Sequence, residues 1–200
     1  MSEAFKKYTE YKNEDKSDKA LKWFQTNLKE TAKTGYKVSA QTRPIVGTKM
    51  TLIAYDIVYE GAELEKVVAS FTDHFALDTD LKEYKLIEKK ENSAVHYCRY
   101  AIPIPFVSDR DVVTEISTEE VEGGTFVLTT DVEHADYPAD PKLYRMTFWS
   151  GALLQQEGSN VRCTSFEYAD AGHKFLNGFD ASMTCGEIEL IIKTMEKNAK

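Results

Sequence analysis

The sequence predicts an α+β fold: one curved antiparallel sheet of about eight or nine strands wrapped round a long C-terminal helix, with an N-terminal helix and one or two inserted helices. Three observations predict it. Turn signals join three successive pairs of β-rich segments between residues 81 and 170. Helical periodicity is confined to stretches before that block and after it. Strands and helices segregated in this way build an antiparallel sheet with one face to be covered, and the terminal helix is the obvious cover. A length of 200 residues suits one domain spanning 1–200.

The elements follow in order. Phe5 and Tyr8 hint at a short first turn. Ser17 or Asp18 is placed to cap a helix running to about Lys33, with Leu21, Phe24 and Leu28 on one stripe and Gly35 as its stop. Tyr36 to Arg43 reads as a strand, Pro44 to Thr48 as a turn and Lys49 to Tyr59 as a second strand. After Gly61, the spacing of Leu64, Val67, Val68 and Phe71 predicts a helix, and Asp73 to Asp80 a polar connection or short helix. Glu91-Asn92-Ser93 joins strands over Leu81 to Lys90 and Ala94 to Ala101. Gly123-Gly124 joins Asp111 to Glu120 and Thr125 to His134. The turn at 157–160 joins Leu143 to Gln156 and Val161 to Asp170. The last helix lies within Phe179 to Lys197. Thr184 and Glu187 have capping-box spacing there, and Ile188, Ile191, Ile192 and Met195 form the apolar stripe.

Composition removes several function classes. A net charge of −8 argues against holding nucleic acid by phosphate neutralisation. No apolar run approaches the roughly 20 residues that span a bilayer. The opening MSEAFKKYTEYKNEDK has no apolar secretory core, so a cytoplasmic protein is expected. Cys98, Cys163 and Cys185 are odd in number and widely spaced, as reduced, buried thiols are. Residues 1–50 carry eleven Lys/Arg against six Asp/Glu, and the other 150 carry fourteen against twenty-seven. The basic first quarter is either a solvated face or a weak dock for anionic membrane. The four histidines lack metal-ligand spacing, and the acidic stretch from Asp131 to Asp140 lacks the EF-hand pattern. Neither G-x-S-x-G nor a Walker A sequence is present. No metal and no cofactor is expected.

Two connections break the hairpin rhythm: Ile102-Pro103-Ile104-Pro105-Phe106-Val107-Ser108, and Ala135 to Pro141. Two prolines bar helix and central strand from the first, which leaves an extended apolar loop. It either packs on the core or forms a gate with a membrane-contacting lip. The stretch from Pro103 through Asp109-Arg110-Asp111 to Val113 resembles the START family, the StAR-related lipid-transfer domains, which carry a similar proline-rich approach to an Arg-Asp pair opening a strand. The element order resembles their helix-grip fold over roughly residues 15–198, and Asn160-Val161-Arg162 through Asp170-Ala171-Gly172 resembles their last strand and entry to the lid helix. The resemblance implies a non-enzymatic domain that encloses one lipid, phospholipid or sterol, beneath the terminal helix and carries it between membranes. Its partners would be the lipid and, transiently, a membrane surface, and the protein a monomer. Two departures stand out. The Lys174 to Gly178 stretch lacks the proline many members have, and Ile116 stands where sterol carriers tend to have a buried Arg.

Strand alternation offers walls for such a tunnel: Phe126 and Leu128, Met146 and Phe148, Phe166 and Tyr168, with Ile188, Ile191, Ile192 and Met195 from the lid. A packed core would show the same pattern. Arg99 shares a strand face with Tyr97. Arg99 or Arg110, with Tyr97 or Tyr168, is expected to meet a polar headgroup. The alternative is that Arg110 pairs with Asp111 or another acid and Arg99 faces solvent. Ile104 and Phe106 would be the gate. The rival function is a helix-grip enzyme or small hydrophobic-ligand binder, cyclase-like or hormone-binding-like, which should show a polar cluster inside the cavity.

Overall fold

The computed structural model describes residues 2–14, 22–23, 37–45, 50–172 and 180–198. The chain opens with helix α1 (Glu3–Glu14), longer than the single turn Phe5 and Tyr8 suggest. Ser2 caps it: its Oγ accepts from the Phe5 N–H at 3.2 Å, and its carbonyl accepts from the Lys6 N–H. Of the helix expected from residue 17 or 18 to 33, only Lys22–Trp23 is described. These two residues form strand β1, paired with Thr42 and Gln41, and the remainder lies outside the described residues.

Strands β2 (Lys37–Pro44) and β3 (Thr51–Tyr59) precede helix α2 (Leu64–Asp73), which runs into a 3-10 turn at His74–Leu77. Then come β4 (Leu81–Lys89), β5 (Ser93–Tyr100), β6 (Arg110–Val121), β7 (Gly124–Asp131), β8 (Tyr144–Arg145), β9 (Thr147–Glu157) and β10 (Asn160–Asp170). Helix α3 (Asp180–Asn198) closes the described chain. It starts four residues before Thr184, so Thr184 stands inside the helix and not at the N-cap position the sequence suggests.

All ten strands belong to one sheet of order β1-β2-β3-β10-β9-β7-β6-β5-β4, with β8 beside β6. Two of the ten are two-residue pieces, leaving eight long strands. Every pairing is antiparallel except β6 with β8, which breaks the expected Leu143 to Gln156 strand in two. The N-terminal hairpin adds to the last strand, through β3 with β10, so the ends of the sheet's sequence meet in its middle.

The pleat sends alternate residues to opposite faces. On the inner face Tyr55, Ile57, Val127, Leu154 and Cys163 pack with Val67 and Phe71 of α2 and with Ile188, Ile191 and Ile192 of α3. On the outer face Leu52, Phe126, Trp149, Leu153 and Phe166 pack beneath Tyr8 and Phe5 of α1. The sheet is thus covered on both faces over part of its area, which is why β7 and β9 are apolar at both phases. Cys98 and Cys163 are free and buried, and burial pushes the Cys98 thiol up to about 12, away from any nucleophilic range.

Candidate functional site: a cavity under the terminal helix

Between the inner face of the sheet and α3 lies a cavity of about 670 Å³. Ile53, Val112, Met146 and Phe148 form its apolar floor. Tyr100 to Ile104 bring the proline loop to its edge, His74 and Phe75 of the 3-10 turn form a side wall, and α3 contributes Glu187, Leu190 and Lys193. A second groove of about 780 Å³ runs between α2 and the β4–β5 hairpin, with Leu64, Val68 and Leu86 in its lining and Lys89, Lys90, Glu91 and Asn92 at the hairpin end; it does not include the proline loop.

The expected wall residues divide. Met146 and Phe148 line the cavity. Phe126 and Leu128 of β7 and Phe166 of β10 do not: they lie in the outer cluster beneath α1. Val127 and Ser165, at the opposite phase of the pleat, are the inward residues. Tyr168 borders the cavity, yet its ring stacks on Trp149 at 5.8 Å and its hydroxyl accepts from Lys7 Nζ at 2.9 Å. Ile188, Ile191, Ile192 and Met195 are buried in the packed inner core, and among the described residues of the helix Leu190 is the apolar one at the cavity.

The polar expectations divide as well. Tyr97 and Arg99 lie on the outer face of β5. Tyr97 packs with Val95, Val113 and Tyr137. Arg99 donates from Nε and Nη2 to Asp109 Oδ2, at 3.1 and 2.7 Å, and Lys82 joins the same oxygen. These bonds hold the Asp109 carboxyl down at about 2, Lys82 contributing most and Arg99 next. The headgroup role expected of Arg99 fails on geometry, because its guanidinium is turned away from the cavity. Arg110 does reach the cavity and is buried. Its Nε donates to the Ala171 carbonyl at 2.9 Å and its Nη1 to the Ser108 carbonyl. It does not pair with Asp111, since adjacent residues of a strand face opposite ways. Asp111 instead takes a bidentate pair from Arg145, at 3.0 and 2.8 Å, on the outer face. The Arg-Asp pair is therefore two clamps. Arg110 ties the proline loop to the strand leading to α3, and Arg145–Asp111 ties the 135–141 connection down, with Arg145 also donating to the Tyr137 carbonyl. Gly172 permits the first clamp: its φ is +74°, and a Cβ there would lie 2.2 Å from the Tyr144 ring.

The proline loop ends in a turn closed by Val107 N–H to the Ile104 carbonyl at 3.2 Å. Phe106 is fully exposed at its tip, with φ of +66°, a left-handed conformation costly for a non-glycine residue. Ile104 lines the cavity and reaches solvent too.

Four cavity residues escape periodicity arguments. His74, Thr114, Glu167 and Glu187 converge on the cavity from the 3-10 turn, β6, β10 and α3. His74 Nδ1 lies 2.8 Å from the Phe71 carbonyl, which can only accept, so Nδ1 carries the proton and Nε2 presents a lone pair. Burial lowers the His74 pKa to about 4. Nε2 is 3.9 Å from Glu187 Oε1. Burial first, and the Glu167 carboxylate second, hold the Glu187 carboxyl well above the usual range. The only sequence signal was a glutamate on an apolar strand and another beside an isoleucine stripe, and buried charge of this kind needs a reason.

No protein-family model matches the sequence, and no curated protein matches it. Solved structures do. The architecture is the helix-grip fold, an antiparallel sheet gripping a C-terminal helix. It is the fold of START-domain structures. Human STARD10 superposes with a TM-score of 0.72 at 15% identity, over 96% of this chain and 79% of that one. Human StAR-related lipid transfer protein 5 gives 0.70 at 16% identity, over 98% and 95%. A STAR-related lipid transfer protein fragment from Xanthomonas axonopodis gives 0.68 at 15% identity, over 88% and 98%. The fold class and the likeness to START domains expected from the sequence are both borne out. No helix among the described residues is long and apolar enough to cross a membrane.

Proposed function

We propose that this protein binds one lipid in the cavity under α3 and transfers it between membranes. The observation that carries the reading is the cavity itself: about 670 Å³ of space, floored by apolar strand residues and lying beneath the terminal helix. Burying several hundred Å² of hydrocarbon at about 25 cal/mol per Å² is ample for retention. The lipid-transfer names of the similar structures support the same reading.

The proline loop serves as the gate. Phe106, held out at a strained φ, is the insertion anchor, with Ile104 behind it at the cavity edge. Arg110 is the gate's hinge pin: opening the loop breaks its bonds to Ala171 and Ser108 and exposes the cavity between the loop and α3. The chain would act as a peripheral, reversible visitor of the bilayer. Fluorescent-lipid transfer between liposomes tests this. Phe106→Asp, fully exposed and so without effect on folding, should lower transfer at least about tenfold, since an anchor of this size is worth roughly 1.5–3 kcal/mol. Transfer equal to the parent would take the loop out of the mechanism.

A further inference from the structure

We propose that the inner end of the cavity is a recognition site for an N–H-bearing ammonium group, so that the lipid carried is an amine. This rests on the lipid-binding reading above and names the chemistry of the ligand's polar end. Acceptors line the cavity: His74 Nε2 lies 3.9 Å from Glu187 Oε1, the Glu167 carboxylate acts on Glu187, and Thr114 faces the same space from β6. His74 Nε2 presents a lone pair because Nδ1–H is committed to Phe71. Among the described residues neither His74 Nε2 nor Thr114 Oγ1 has a hydrogen-bond partner, though both side chains are almost wholly buried and line the cavity. Leaving such groups unmet costs free energy that a ligand can restore. Among the described residues, five carboxyl groups line the cavity, those of Asp78, Asp80, Glu167, Glu187 and Glu189, against two cations, Arg110 and Lys193. Arg110 is turned to carbonyls at the loop, so it does not neutralise the inner end.

A primary ammonium answers these acceptors with one positive charge and three donors. A phosphate, sulfate or carboxylate would bring only more acceptors to it. A hydroxyl brings one donor and no charge. A quaternary ammonium brings charge and no donor. The empty site keeps its charge low by holding a proton on Glu187, since burial and Glu167 favour the neutral acid. The ammonium takes that proton's place: Glu187 gives its proton to solvent as the amine docks, and the carboxylate then accepts from the ligand's N–H. Among the described residues, the titratable groups that interact electrostatically with Glu187 include His74 from the 3-10 turn, Tyr55 from β3, Tyr100 from β5, and Cys163 and Glu167 from β10. Of these, Tyr55, Tyr100 and Cys163 are pushed up by burial and stay neutral at pH 7, and His74 is neutral there too.

Calorimetric titration of the full chain at pH 7 tests the proposal, using dodecylamine, dodecyltrimethylammonium and dodecanol in two buffers of different ionisation heat. Dodecylamine should bind about tenfold or more tighter than either analogue, the scale of a charged hydrogen bond, and should release a proton. Glu187→Gln and Thr114→Val should each shrink the ratio of dodecylamine to dodecanol affinity severalfold or more; Glu187→Gln should also abolish the proton release. A parallel pair, lysophosphatidylethanolamine and lysophosphatidylcholine, separates the two sources of an amine: tighter binding of the former points to an aminophospholipid, and dodecylamine alone to a simple long-chain amine. Equal binding of amine, alcohol and quaternary ammonium would overturn the ammonium site and leave the lipid reading standing. Binding of none of them would overturn both.

Discussion

The residue with most to say about stability is Asp111. Its side chain is 2% exposed and its partner Arg145's is 24%, and the two bonds between them are charge-assisted and bidentate. Asp111→Ala would strand Arg145 and free the 135–141 connection. We expect a loss of about 3 kcal/mol by chemical denaturation, the low end for breaking a buried pair; a loss under about 0.5 kcal/mol would show the clamp to be ornamental. His74 sets an acid limit. Its pKa is about 4 in the fold, against an ordinary 6.5. Between those values the unfolded chain binds a proton that the folded chain refuses, so stability falls as pH falls from about 6.5 to 4 and loses nothing further from this group below that. The loss amounts to about 3 kcal/mol. His96, also lowered to about 4 by burial, adds a second contribution of the same sign. Glu187 works the other way, because a raised carboxyl pKa favours the fold at low pH and that stability is lost as pH rises through the raised value. Comparing His74→Gln with the parent cancels the contributions of both. The variant should lose clearly less stability than the parent between pH 7 and 4.5, and equal losses would contradict the neutral, buried histidine.

At the scale of elements, the outcome turns on which face each strand shows to the cavity. The hairpins, the terminal helix and the sheet were legible because turn residues and period-two alternation are local signals. The phase of the alternation was not. β7 and β9 carry apolar residues on both faces and β10 carries Phe166 on its outer one, because α1 covers the outside, so Phe126 and Phe166 look as fit for a tunnel wall as Met146 and Phe148 do. Only α1's docking tells them apart, and the sequence shows α1 as little more than Phe5 and Tyr8. Arg110 and Asp111 illustrate the same limit from the other side. The pair is legible as a motif, while its two separate clamps depend on Ala171 and Arg145, which lie far along the chain. Tyr8 is the keystone of α1, buried against Phe126 and Phe166 at 5.4 Å from each ring. Tyr8→Ala should cost about 3 kcal/mol, as large aromatic truncations do. A cost below about 1 kcal/mol would mean that α1 is not part of the cooperative fold.

For the whole molecule, one sheet does two different jobs. Its outer face is sealed by an aromatic cluster under α1, and its inner face is packed at one end by α2 and α3 and left open at the other. A fully packed domain would have no reason to leave His74 Nε2 and Thr114 Oγ1 without hydrogen-bond partners among the described residues beside unfilled space, since unmet buried polarity costs stability. The arrangement makes sense if a ligand completes the core, and the exposed Phe106 beside the opening makes sense if that ligand comes from a membrane. The most direct measurement is native mass spectrometry of the protein after incubation with mixed-lipid liposomes, followed by extraction and identification of whatever is bound. The account predicts a one-to-one adduct with a single lipid class, lost in a variant whose cavity is filled by Val112→Trp. A clean, unliganded mass for the folded parent, unchanged by liposomes, would contradict it.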